Sequence, residues 1–246
     1  MVDEQPYNRF EAILSMVPNT HRIADLGFDH GDFLVLAASQ GHTVIGVECQ
    51  SVCLERFPLR HSGLPPTLRD RIELRCGDGP AALHAGDVIQ TVTIAGLGER
   101  TIARWATQLP PTVERIVACP SDMRGTIRRD LRTNGFRILN ETIAEARGRL
   151  YPVIAWEKGT ETRPDDAYFQ VGPVLFDNHP AALDAWVHHR LKRLSAAIQR
   201  WKRSDNHTDD DSLHFQRWIT ALTTVQQDLV NRSDASTRDS PNESET

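Results

Sequence analysis

Apolar residues along this chain come in two textures. In the first part they gather in short blocks: residues 22–26, 43–47, 71–76, 88–95 and 114–119 read as strands, separated by segments long enough for helices. Ahead of them Phe10, Ile13, Leu14 and Val17 recur at helical spacing and stop at Pro18, which predicts a short amphipathic helix. After the fifth block, residues 123–134 read as a helix closed by Gly135. Residues 136–144 and 150–157 then read as two strands joined around Gly148, and hence as a hairpin.

Alternating strands and helices predict a parallel sheet. Five such units finished by a hairpin fit an α/β fold with a Rossmann-like, seven-stranded sheet of the class I methyltransferase kind, whereas a dehydrogenase would continue with parallel units. Pro152 is awkward in the last strand, because it removes a ladder donor and prefers an edge or a bulge.

The second texture follows a polar stretch, residues 158–166, that holds Gly159 and Pro164. Val187, Leu191, Leu194, Ile198 and Trp201 step by four and three, as do Phe215, Trp218, Leu222, Val225 and Leu229, with a polar segment between the two sets. A C-terminal α-helical hairpin, coiled-coil-like, is expected. The resulting division is 1–160 for the sheet domain, 165–231 for the hairpin domain and 232–246 for a disordered tail rich in Ser, Asp, Glu and Asn.

Composition adds few constraints. No apolar run approaches the roughly 20 residues of a bilayer span, and residues 1–20 lack the basic start and apolar block of a secretory signal, so no membrane role and a cytoplasmic location are expected. Cys49, Cys53, Cys76 and Cys119 lie on or beside strands without paired ligand spacing, and read as reduced core or near-core thiols rather than a metal site. The net charge of −5 argues against a uniformly basic nucleic-acid coat, but local patches remain.

Candidate chemistry sits at the strand ends. The turn "DLGFDHGD" supplies Gly27 and Gly31 but places Asp29 where a dinucleotide fold wants another glycine, and a carboxylate there opposes a pyrophosphate. A ligand with an ammonium and a sulfonium tolerates it, which favours S-adenosyl-L-methionine over NAD. Glu48 stands where an acid accepts hydrogen bonds from ribose hydroxyls, and Asp78, in "GDGP", could do the same for an adenine amino group. Asp25, Gly27, Asp29, Glu48, Cys49, Asp78, Gly79, Ala95 and Gly96 therefore form the expected cofactor site.

Several stretches in order carry a resemblance: "RFEAILSMVP" (9–18), "IADLGFDHGDF" (23–33), "GVE" (46–48), "GDGP" (77–80), "IAGLGERTIA" (94–103), "YPVIAWEKG" (151–159) and "FQVGPVL" (169–175). The chain resembles the TrmK-type tRNA (adenine(22)-N(1))-methyltransferases, as a divergent member. It departs from that family's pattern at Leu97 and Glu99, at Cys119 and Ser121, and at Pro152, all on the side expected to receive the base.

The resemblance implies methyl transfer from S-adenosyl-L-methionine to N1 of an adenine in tRNA, adenine 22, with tRNA as partner and a monomer compatible with it. Asp29 and His30 are the polar groups expected nearest the methyl, with Ser121 and Tyr151 as weaker candidates for holding the base. Other readings at this point are a cofactor-binding relative with a different substrate and a catalytically silent RNA-binding protein. Two basic stretches could grip RNA: Arg124, Arg128, Arg129 and Arg132, and the helix with His188, His189, Arg190, Lys192, Arg193, Arg200, Lys202 and Arg203.

Overall fold

The computed structural model describes residues 7–123, 125–178, 182–201 and 209–238, which divide into two compact units, Met1–Thr162 and Arg163–Thr246. The first unit opens with α1 (Tyr7–Leu14), whose Ile13 and Leu14 are buried. Then come β1 (Ile23–Leu26), α2 (Asp32–Ser39), β2 (Val44–Glu48), α3 (Ser51–Arg60), α4 (Pro66–Arg69) and β3 (Ile72–Cys76). After two short 3₁₀ turns follow β4 (Thr91–Ala95), α5 (Glu99–Ala106), β5 (Arg115–Cys119) and α6 (Ile127–Thr133). The unit closes with β6 (Phe136–Ala146) and β7 (Arg149–Lys158).

The seven strands form one sheet in the order β3-β2-β1-β4-β5-β7-β6. The first five are parallel, and β7 runs antiparallel to both β5 and β6. Every residue of β1 and β2 is buried, as helix-covered central strands require, and this explains why they are apolar apart from Asp25 and Glu48. Ile13, Leu14, Val17, Ile23, Phe33, Leu34, Val44, Phe57, Val117 and Val153 belong to one core cluster. Burying side chains of this size stabilises a fold by about 1.5 to 3 kcal/mol each.

The hairpin turn is tighter than the sequence suggests. Ala146 pairs with Arg149, which leaves Arg147 and Gly148 as a two-residue loop, both at positive φ (52° and 66°). That conformation matches the twist of the flanking strands. Pro152 finds its place because β5 stops short of it: the β5 ladder ends at Ala118 opposite Ile154, so near Pro152 the strand has a partner only on the β6 side.

Four expectations need correction. Val88 is not strand but an exposed residue at φ 50° ending a 3₁₀ turn, and β4 begins at Thr91. The helix after β5 starts at Ile127, not 123. Cys49 and Cys76 are exposed, since they stand where the strands leave the core; only Cys119 is buried, and all four thiols are free. The tail expected to be disordered from 232 is helical up to Arg238.

The second unit holds α7 (Ala167–Val171), α8 (Pro173–Asn178), α9 (Leu183–Trp201) and α10 (Asp209–Arg238). Asp166 caps α7 by accepting from the Phe169 N–H at 3.0 Å. The consecutive helices α9 and α10 pack on each other, and α10 also packs on α7. Of the expected stripes Val187, Leu194, Trp218, Leu222, Val225 and Leu229 are buried, with Trp186 beside them, and Leu191 is half-buried; the side chains of Ile198, Trp201 and Phe215 lie outside the described residues. Tyr168 donates to Asp228, and the Arg232 guanidinium lies 3.9 Å from the Phe176 ring centre. Among the described residues no helix is long and apolar enough to cross a membrane.

Candidate active site

A cleft of about 680 Å³ opens at the carboxyl ends of the parallel strands, where β1 and β4 diverge to opposite halves of the sheet. Open α/β sheets bind ligands at this switch point, and the volume suits a nucleoside-sized molecule. Its lining draws in Asp25, Gly27, Asp29, His30, Glu48, Cys49, Asp78, Gly79, Ala95, Gly96 and Tyr151, so one wall unites every expected cofactor residue and three of the four expected catalytic ones. Ser121 is the exception. It is exposed, does not line the cleft, and its N–H donates to the Leu97 carbonyl at 2.9 Å.

Asp25 is the deepest acid. It is the penultimate residue of β1 and buried, and loss of water pushes its carboxyl up to about 7 despite a 2.7 Å hydrogen bond from Thr93 Oγ1 and the positive charge of Arg9. Beyond it the chain turns sharply. Gly27 (φ 82°) and Gly31 (φ 77°) bracket Asp29, itself at φ 51°. A Cβ on Gly31 would lie 2.4 Å from the Phe57 ring, which makes glycine obligatory there.

Glu48 braces this turn. Its buried carboxylate accepts from the Asp29 N–H at 3.3 Å, the Gln50 N–H at 3.0 Å and the Cys49 thiol at 3.3 Å. The Cys49 thiol is held above its ordinary pKa, first by that hydrogen bond, and is therefore a poor nucleophile.

At the mouth, Asp29 and His30 pair at 3.3 Å with side chains 71% and 62% exposed. The cap residue of α2 is Gly31, so Asp29 does not cap that helix and its carboxylate stays open to the cleft. On the far side Asp78 meets Arg104 at 3.7 Å, and Gly79 (φ 55°) sits so close to Trp105 that a Cβ would lie 2.3 Å from the indole. Gly96 (φ 81°) has open space where a side chain would be.

The wall also includes Arg9, Phe10, Leu97, Arg104, Trp105 and Arg147, which strand-end logic did not reach. Arg9 and Phe10 arrive on α1, which packs on β6 and β7, and Arg147 arrives on the hairpin loop. The "RF" opening of the N-terminal helix and the departure at Leu97 were the hints to any of them. Of the departures from the family pattern, Leu97 alone lines the cleft. Glu99 is buried instead, accepting from Thr126 Oγ1 at 3.1 Å while its N–H donates to Asp122 at 2.9 Å, so it ties two loops together. No group of three or more His, Cys, Asp or Glu side chains among the described residues could hold a metal ion.

One basic candidate is overturned. Arg128 is not on an RNA-facing surface: its side chain is 1% exposed and paired with the fully buried Glu141 at 2.6 Å, because this face of α6 lies against the sheet. Arg129 and Arg132 are half-buried, while His188, His189, Lys192 and Arg193 are exposed on α9. Arg124, Lys202 and Arg203 lie outside the described residues, as does the side chain of Arg200.

Comparison with known proteins agrees with this arrangement. Residues 7–154 match the family model of a methyltransferase domain. A tRNA (adenine(22)-N(1))-methyltransferase of Bacillus subtilis (strain 168) is 27% identical over 180 residues, covering 68% of this chain and 73% of that protein. Among solved structures, the B. subtilis M1A22 tRNA methyltransferase TrmK superposes with a TM-score of 0.69 at 23% identity, covering 89% of this chain and 97% of that one. M. capricolum TrmK, in complex with S-adenosyl-homocysteine, superposes at 0.70 with 17% identity, covering 89% and 96%. The strand order, the cleft at its switch point and a family match that takes in every cofactor-site residue lead to one statement: the chain belongs to the methyltransferase-domain family.

Proposed function

We propose that this protein transfers a methyl group from S-adenosyl-L-methionine to N1 of an adenine in tRNA, adenine 22 by analogy with the B. subtilis relative, and does so in the cytoplasm. The observation that carries the reading is the trio Asp25, Glu48 and Asp78 converging on one cleft whose opening turn carries Asp29. Carboxylates so placed repel a pyrophosphate and attract a ligand whose charges are an ammonium and a sulfonium. Glu48 suits ribose hydroxyls, Asp78 the adenine amino group and Asp25 the ammonium. When bound, the cofactor supplies an electrophilic methyl group.

The residues of this chain have three tasks. The adenine must leave its stack, at a cost of a few kcal/mol, to reach the cleft, and Tyr151 and Phe10 offer it apolar faces there. Holding N1 in line with the methyl reduces the barrier by roughly 7 to 11 kcal/mol through orientation alone, so no nucleophilic side chain is needed. Positive charge moves onto the purine as the bond forms, and the exposed Asp29 carboxylate with His30 beside it stabilises that charge at the mouth. Cationic residues of α9, Lys192 and Arg193 foremost, hold tRNA phosphates.

Incubating the protein with labelled S-adenosylmethionine and bulk bacterial tRNA tests the proposal. Label recovered as N1-methyladenine at a single position supports it. Cofactor binding without tRNA product would point to another substrate, and absence of cofactor binding would refute it. That Glu99 and Ser121 stand outside the cleft favours the adenine reading, since those departures alter little of the wall.

A further inference from the structure

Arg147 stands where the local backbone favours another residue. With Gly148 it makes the two-residue turn between β6 and β7, at φ 52°. Such turns prefer Asn or Asp ahead of the glycine, because a longer side chain resists the left-handed region. An arginine held there against that preference points to a task for its side chain. The hairpin also carries it out to the cleft. The last rung between β5 and β7 joins Ala118 to Ile154, whereas the β6–β7 ladder runs on to Ala146 and Arg149, five residues or roughly 16 Å further. At that tip Arg147 is exposed and lines the cleft. The other arginines of the wall have contacts: Arg104 meets Asp78 at 3.7 Å, and Arg9 lies 4.9 Å and 5.4 Å from the ring centres of Phe10 and Tyr151. Among the described residues the Arg147 guanidinium has no ion pair, hydrogen bond or ring contact.

We propose that Arg147 is a phosphate clamp for the target nucleotide, its guanidinium holding a phosphodiester beside the adenine that enters the cleft. The inference rests on the tRNA reading above and adds how the strand crosses the mouth. A base drawn out of its stack brings its own backbone to the rim of the pocket. Exposed carboxylates there repel phosphate, and they stand away from Arg147: Asp78 follows β3, the first strand in the sheet order, and Asp29 follows β1, while Arg147 follows β6, the last. The backbone is therefore drawn along the hairpin side. A planar guanidinium offers paired donors to two phosphate oxygens, which fixes the orientation of the strand as well as attracting it.

Arg147→Asn in the full-length protein tests the clamp without threatening the fold, since Asn-Gly is a preferred pair for this turn. The variant should raise KM for tRNA about 3- to 10-fold with kcat within about twofold, the loss expected of one partly desolvated ion pair. The slope of log KM on log salt should fall by about 1, and Arg147→Lys should restore the slope and part of the KM. Calorimetry should give both variants the wild-type affinity for S-adenosyl-homocysteine. A tRNA with a neutral methylphosphonate on one side of the methylated adenine should weaken the wild type by the same factor and leave Arg147→Asn no weaker. Unchanged KM in Arg147→Asn overturns the proposal, and a loss of S-adenosyl-homocysteine affinity overturns it in favour of a cofactor contact. Equal weakening of wild type and variant by the methylphosphonates places the phosphate on another residue. If the wild type makes no N1-methyladenine, the tRNA reading itself fails, whereas normal product from both proteins sinks the clamp alone.

Discussion

Replacing Asp25 by Asn separates what this residue does for the ligand from what it costs the fold. Asn keeps an acceptor for Thr93 Oγ1 and removes only the ionisable group. Burial raises the carboxyl from 3.8 to about 7, and at about 1.36 kcal/mol per tenfold change, holding it ionised inside the sheet costs about 4 kcal/mol. The sign follows from proton binding. Between those two pH values the folded form keeps a proton that the unfolded form has lost, so stability falls as pH rises from about 4 to 7 and levels off above. Asp25→Asn, neutral throughout, escapes this loss. Its stability gain over wild type should be about 3 kcal/mol larger at pH 8 than at pH 5, two pH steps below the folded value. Native-state hydrogen exchange at the β1 and β4 amides reads the opening free energy of this unit by itself. The same variant should bind S-adenosyl-homocysteine at least about tenfold more weakly at pH 8, having lost the charge that meets the ammonium. A gain that differs by less than about 1 kcal/mol between the two pH values would refute the burial argument.

Other substitutions probe the rest of the molecule. Arg128→Ala should destabilise the first unit by about 3 to 5 kcal/mol in urea titrations, because it removes a buried cation from the buried carboxylate of Glu141; a loss of RNA affinity at unchanged stability would contradict that. Gly79→Ala pushes a methyl against Trp105 and should cost about 1 to 3 kcal/mol while shifting tryptophan fluorescence, whereas a neutral result would mean the indole moves freely. Reversing Lys192 and Arg193 to Glu should weaken tRNA binding in filter assays and flatten the dependence of log Kd on log salt; an unaltered slope would remove α9 from the RNA surface.

The sheet was legible because central parallel strands are buried on both faces and so read as apolar blocks, as β1, β2 and β5 do. The acid anchors were legible for a related reason: Asp25, Glu48 and Asp78 are polar residues that interrupt the chain where it leaves a strand. Arg128 was misread because spacing along a short helix does not say which side faces the sheet. Its partner Glu141 stands on β6, and only the packing of α6 on that strand reveals the pair. Val88 was misread because an apolar residue can stand in a turn when local hydrogen bonds hold it there. Arg147 went unseen for a third reason: it reaches the cleft on a hairpin loop far along the chain from the anchors it joins, and no local pattern encodes that meeting.

The two-residue loop at Arg147 and Gly148 has a consequence for the newborn chain. Tyr151 and Arg147 close a wall that Arg9 and Asp25 begin, so almost the whole first unit must leave the ribosome before the pocket is complete. A small molecule that binds only the finished pocket cannot rescue earlier, shorter nascent forms. Fragments ending before β6 should thus gain no protease resistance from S-adenosyl-homocysteine, while the intact protein should.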